Sequence, residues 1–210
     1  MKSFIPLYDA EFAPHLNPVI DCKKRGLTEN VYQRAEGFRH IFNLLEEKNK
    51  DSYFIVETGT LRQPGDWRAG QSSMLFEQFV KVHGGRVESV DIDKNACAAA
   101  KGALDANFTT VNLGDSVDFL TNGDWNNVDL FYLDSYDVKW GAPLPSAEHH
   151  LKEFLAIEKY MKPGVILAVD DNSFLLDGNK RTGKGMLVYE YLKNKGIMPL
   201  YDDYQIIYKF

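Results

Sequence analysis

Five short apolar segments of the chain each run into acidic or glycine-rich residues. The first leads to Glu57-Thr58-Gly59-Thr60, the second to Asp91-Ile92-Asp93, and the third to Gly114-Asp115-Ser116. The fourth leads to Asp134-Ser135-Tyr136-Asp137 and the fifth to Asp170-Asp171-Asn172. One such end is an ordinary helix cap. Five in sequence order form a constellation. A glycine at position 59 lets a ligand approach the chain where a side chain would clash. Gly70-Gln71-Ser72-Ser73 can open a helix whose free N–H groups receive a carboxylate. The Asp91 carboxylate can accept two hydrogen bonds from a ribose diol. Asp115 is placed to accept from an exocyclic amine such as that of adenine. Asp93 reads better as a helix cap, and Asp115 and Ser116 can be read that way too.

Asp134, Asp170 and Asp171 form a second group. Adjacent parallel strand ends can bring them together, and three converging carboxylates repel one another unless a cation is present. An all-oxygen set suits Mg²⁺ or another divalent cation rather than zinc. The plainer reading of Asp170-Asp171 is a loop cap and a solvated charge. His149 is a candidate general base near neutral pH, with His150 beside it. A capping or surface histidine is the competing account. Lys139 could assist proton removal only with a depressed pKa. Trp67 and Trp140 are candidate aromatic walls, or packing residues of the core or a lid.

The elements that must position these residues alternate regularly. Strands are expected at 53–56, 86–90, 109–111, 128–133 and 165–169. Helices are expected at 72–82, 94–104, 116–120, 147–161 and 185–194. Earlier, Val31, Ala35, Phe38, Ile41, Phe42 and Leu45 recur at helical spacing, from Thr28 to about Asn49. Residues 1–27, punctuated by Pro6, Pro14, Pro18 and Gly26, read as an irregular arm or lid. The terminal strands 198–201 and 205–210 are close enough for a hairpin. The fold class is therefore α/β: a seven-stranded, mostly parallel Rossmann-like sheet, its last strand antiparallel, with helices on both faces. Residues 1–50 form an N-terminal arm and helix, a cap of the same domain as residues 51–210.

The 210 residues are 44% hydrophobic and carry a net charge of −6. That balance fits a folded globule and argues against a non-specific nucleic-acid binder, which would need a basic surface, though it leaves room for a local basic patch. The first residues lack the apolar run of a signal peptide, and no stretch approaches the roughly 18 apolar residues of a membrane span. A cytoplasmic protein without a membrane partner is expected. Cys22 and Cys97 are expected to be free thiols. They and the histidines make no zinc spacing.

The acidic series resembles that of the class I S-adenosylmethionine-dependent methyltransferases, over essentially all of residues 53–210. The resemblance implies that Glu57 and Gly59 hold the methionine end of the cofactor, Asp91 the ribose and Asp115 the adenine. Thr60, Ser72 and Ser116 would add contacts. The departure is the long insertion Leu61–Ala69 in the first turn. Asp134, Asp170 and Asp171 match the metal positions of the metal-dependent O-methyltransferases: the catechol type and the macrolide sugar and cephalosporin-hydroxylase-like groups. The implied activity is Mg²⁺-assisted methyl transfer to a hydroxyl of a small molecule, with His149 and Lys139 as catalytic candidates. The alternatives are a methyltransferase-fold scaffold without turnover and an NAD-dependent dehydrogenase. The latter lacks its G-x-G-x-x-G turn here. Gly178 to Gly185 nearly spells a phosphate-binding loop, but Gly185 stands where a hydroxyl is needed. An arm that covers its own site or a neighbour's leaves a homo-oligomer open.

Overall fold

The computed structural model describes residues 3–16, 34–67, 70–174 and 181–210. Cys22, the start of the expected helix at 28–33, and the first three residues, 178–180, of the glycine-lysine stretch lie outside the described residues. The chain opens with α1 (Ile5–Glu11), a 3₁₀ turn (Ala13–His15) and α2 (Arg34–Glu46). It then alternates: β1 (Tyr53–Thr58), α3 (Ser72–His83), β2 (Gly85–Asp91), α4 (Lys94–Ala103), β3 (Thr109–Leu113), α5 (Ser116–Asn122), β4 (Leu130–Leu133), α6 (Leu144–Ile157) and β5 (Ile166–Val169). A small hairpin follows, β6 (Asn172–Phe174) and β7 (Arg181–Gly183). The chain ends with α7 (Met186–Asn194), β8 (Tyr201–Asp202) and β9 (Ile206–Lys209).

The main sheet has the order β3-β2-β1-β4-β5-β9-β8. The first five strands of that order are parallel, and β9 runs antiparallel to both β5 and β8. The final hairpin is thus as expected, with its second strand inserted beside β5. That insertion separates the sheet from the 3-2-1-4-5-6 order of dinucleotide-binding dehydrogenases. Strands β1, β4 and β5 are buried along their whole length, because helices cover both faces. One face carries an aromatic cluster from α1, α2 and α3, including Phe4, Tyr8, Phe38, Phe42, Phe76 and Phe79. The other packs Phe131, Leu133 and Val169 against Phe154 and Leu192 of α6 and α7. Cys97 is free and buried with Leu61, Ala100 and Val111, as helix packing requires.

Two expectations need correction. The described part of the N-terminal segment, residues 3–16, is not irregular: Pro6 sits in the first turn of α1, where a missing N–H costs nothing. Phe4 and Tyr8 are fully buried, so this segment is core. The stretch after β5 also holds the β6–β7 hairpin, whose Gly183 adopts a φ of +104°.

Candidate functional site

The strand order reverses at β1, whose neighbours β2 and β4 lead to opposite sides. In open parallel sheets a ligand crevice forms at such a point, beyond the carboxyl ends of the strands. Here a cleft of about 210 Å³ lies there, lined among others by Gly59, Thr60, Ser72, Asp91 and Asp134. Gly59 has a φ of +83°, and a Cβ on it would stand 2.6 Å from the Asp134 carbonyl oxygen. Its lack of a side chain therefore first serves the close approach of the β1 and β4 ends.

The Asp91 carboxylate is half-buried at the end of β2. Oδ1 accepts from the Asp93 N–H at 2.8 Å and Oδ2 from the Thr60 N–H at 3.2 Å. Burial pushes its pKa up, against those two hydrogen bonds. Glu57 is buried at the end of β1, and the Ser73 hydroxyl donates to its Oε2. Among the described residues its Oε1 has no hydrogen-bond partner. Burial raises its pKa to about 8, partly offset by Ser72 and Ser73. Helices α4 and α5 are capped by the carboxylates of Asp93 and Asp115. Helix α3 has no side-chain cap at Gln71, and its first residue, Ser72, lines the cleft. A buried carboxylate with a spare oxygen and an uncapped helix N-terminus suit the ammonium and carboxylate of an amino acid. Together with Asp91 for a diol, this donor set fits S-adenosylmethionine.

The insertion after β1 is held in place from within. Leu61 is buried, and the Gln71 side-chain amide donates to the carbonyls of Gln63 and Asp66. Trp67 stacks on His15 at 4.9 Å, which makes it a packing residue of the N-terminal segment rather than a wall of the cleft. Arg62 reaches across to Asp137 at 2.7 Å, and both line the cleft.

Other expected site residues lie elsewhere. Asp115 lines a second, wider depression of about 610 Å³, with Glu88, Asn112 and Asp118. The Ser116 hydroxyl pairs with His149 Nε2 at 2.9 Å, and that nitrogen also lies 3.4 Å from Glu153. The hydrogen bond to Glu153 raises the His149 pKa. Burial would raise that of Glu153, but His150, His149, Ser116 and Ser135 outweigh it and hold it at about 2. His149 is thus tied into an ionic network between α5 and α6. Lys139 is exposed. Neither candidate base lines the cleft.

Asp134, Asp170 and Asp171 do converge, but with cations of the chain itself. Lys184 Nζ contacts Asp134 Oδ1 and lies 2.9 Å from Asp171 Oδ2. Arg34 Nη2 lies 2.5 Å from Asp170 Oδ2 and 3.7 Å from Asp134 Oδ2. The Tyr204 hydroxyl donates to Asp171 Oδ1. Among the described residues, no three His, Cys, Asp or Glu side chains are arranged to hold a metal ion. In this structure Asp134, Asp170 and Asp171, the expected magnesium set, form an internal ion-pair cluster with Lys184 and Arg34. Sequence reasoning missed Arg34, Lys184 and Tyr204. The glycines flanking Lys184 were the available signal. Arg34 carries none, since it looks like any polar residue of an amphipathic helix.

No family model matches the chain, and no curated protein does. Solved structures match. The METTL16 methyltransferase domain aligns with a TM-score of 0.55 at 11% identity, over 84% of this chain and 67% of that one. A candidate sarcosine dimethylglycine methyltransferase from Galdieria sulphuraria gives 0.51 at 16% identity, over 80% and 64%. This chain has the Rossmann-like methyltransferase fold. MycE methyltransferase, from the mycinamycin biosynthetic pathway and solved with Mg, S-adenosylhomocysteine and mycinamycin VI, gives 0.47 at 17% identity. The chain spans between 31% and 38% of the MycE chain. At these identities the likeness is one of fold. No helix of the described residues is long and apolar enough to cross a membrane.

Proposed function

We propose that the chain transfers a methyl group from S-adenosylmethionine to a hydroxyl of a small molecule. The observation that carries this reading is the cleft at the β1–β4 switch point. It combines Asp91, the uncapped α3 and the close turn at Gly59, with Glu57 buried behind Ser72, in a methyltransferase fold. When bound, the cofactor supplies a methyl group on a positively charged sulfur that leaves as a neutral thioether.

The chain's own residues orient and deprotonate. Asp91 accepts from the ribose hydroxyls while its backbone partners Thr60 and Asp93 hold it still. Glu57 Oε1 takes the free ammonium, and the α3 N-terminus takes the carboxylate. Asp134 stands at the cleft with its Oδ1 fixed by Lys184 and its Oδ2 less engaged. It accepts the hydroxyl proton at Oδ2 as the acceptor oxygen attacks, so that the oxygen gains carbon as it loses hydrogen. Proximity in the narrow cleft supplies much of the rate. The carboxylates that would bind the magnesium implied by the resemblance are paired in this structure with Lys184 and Arg34. The net charge of −6 favours a small-molecule acceptor over nucleic acid.

The test is calorimetric titration with S-adenosylhomocysteine, followed by transfer of a labelled methyl group to a panel of sugar, phenol and polyketide alcohols. Binding that Asp91→Ala weakens, together with label on an oxygen, supports the proposal. Binding without transfer to any alcohol points to a scaffold. Folded protein that binds no S-adenosylhomocysteine overturns the reading.

A further inference from the structure

Three converging carboxylates, Asp170 buried and Asp134 and Asp171 partly so, need positive charge, and this chain brings its own. Lys184 is 1% exposed, and its ammonium sits between Asp134 and Asp171. It also lies 3.3 Å from the Asp134 carbonyl oxygen. Arg34 covers Asp170 and faces Asp134 from the other side, its guanidinium over the Phe38 and Tyr204 rings. Of the six carboxylate oxygens, five face a cation or the Tyr204 hydroxyl. Asp134 Oδ2 faces Arg34 only at 3.7 Å, and among the described residues Asp170 Oδ1 is buried without a partner in hydrogen-bond geometry.

The local backbone is built to deliver Lys184 to this place. Its N–H donates to the Asp171 carbonyl at 3.1 Å, and the Gly185 N–H donates to Asn172 Oδ1 at 2.8 Å. A Cβ on Gly183 would collide with the Asp171 carbonyl, and one on Gly185 would stand 2.6 Å from Asn172 Oδ1. Gly183 and Gly185 therefore let the chain around Lys184 lie close against the Asp171–Asn172 turn. Asn172 locks that turn by donating to the carbonyls of Val169 and Asp170 at 2.8 and 3.0 Å.

We infer that Lys184 and Arg34 are the resident cations of this site, occupying the place of a divalent metal and positioning Asp134 at the cleft without one. A hard divalent ion needs several free oxygens at close range. Here they are turned onto an ammonium and a guanidinium. Lys184 is a positioning residue, since it does not line the cleft. The inference is independent of methyl transfer and holds for any chemistry performed in the cleft.

The experiment is titration of the full chain with Mn²⁺, followed by electron paramagnetic resonance and by the melting temperature. The wild type is expected to show no saturable Mn²⁺ site and no upward melting shift. Lys184→Ala leaves the carboxylates short of one cation. It is expected to acquire one Mn²⁺ site and a melting temperature that Mn²⁺ raises, a gain that a merely structural lysine would not produce. A wild-type protein that binds one Mn²⁺, and loses it in Asp170→Asn, overturns the inference. So does a folded Lys184→Ala protein that binds none. If Lys184→Ala does not fold, the wild-type titration decides alone. Titration with S-adenosylhomocysteine in EDTA separates the two proposals: its failure removes the methyl-transfer reading and leaves the Mn²⁺ result standing.

Discussion

At the residue scale the protonation of Glu57 links the cleft to pH. Burial places its pKa near 8, far above that of an exposed carboxylate, so the folded protein prefers the neutral form. A raised acid pKa means that the folded chain holds the proton more tightly than the unfolded one. Its contribution to stability is complete below the ordinary glutamate range and is lost as pH rises through 8. Glu57→Gln keeps an acceptor for Ser73 and removes the titration. Wild type and variant are expected to melt together near pH 5, with the variant the more stable above pH 8. A constant difference across that range would remove the link. An ammonium ligand selects the ionised form, so wild-type affinity for S-adenosylhomocysteine should rise with pH while that of the variant stays flat. Asp91→Ala removes hydrogen bonds from a charged group. A loss of about 1.5–3 kcal/mol, roughly 10- to 150-fold in Kd, is expected by calorimetry. An unchanged Kd would mean that the ribose lies elsewhere.

At the element scale the β6–β7 hairpin sets the geometry of the acidic cluster through Gly183. An alanine there meets both a forbidden φ and the Asp171 carbonyl, so Gly183→Ala should destabilise the fold by more than about 1 kcal/mol. Gly102, in α4, has open space around its Cβ position. Gly102→Ala should instead stabilise by about 0.5–1 kcal/mol. Chemical denaturation of both variants checks the pair, and equal effects would show that local backbone strain is not the cause. The same contrast explains what could be read from the sequence. Strands β1, β4 and β5 are continuous apolar runs because both faces are covered, so their positions and the acidic ends that follow them were legible. Helix α1 was not, because Pro6 reads as punctuation unless its place in the first turn is known. The hairpin was hidden because it depends on positive φ values at Asp171 and Gly183, which only the packed turn requires. Convergence of Asp134, Asp170 and Asp171 followed from topology. The identity of their counter-charges did not, because Arg34 and Lys184 lie 150 residues apart and meet only in three dimensions.

At the scale of the whole molecule the question is whether the N-terminal segment is a lid over the cleft or part of the core. Phe4 is fully buried, with its ring centroid 4.9 Å from that of Phe42 on α2 and 5.6 Å from that of Phe79 on α3. Its N–H donates to Glu46 Oε1, which also meets His83 Nε2 at 3.0 Å, and the Tyr8 hydroxyl donates to the Ala35 carbonyl. These contacts join α1, α2 and α3 into one layer over the sheet. A lid pays little for opening, whereas a core phenylalanine leaves a cavity when removed. Phe4→Ala is therefore expected to cost about 3–5 kcal/mol. At about 2–4 °C per kcal/mol for a chain of this size, the melting temperature should fall by roughly 6–20 °C. The affinity of the folded protein for S-adenosylhomocysteine should stay unchanged, because Phe4 does not line the cleft. The opposite pattern, an unchanged melting temperature with weakened binding, would identify the segment as a lid. Paired melting curves and titrations at one pH separate the two, because cavity formation acts on the whole cooperative unit while lid opening acts on the cleft alone.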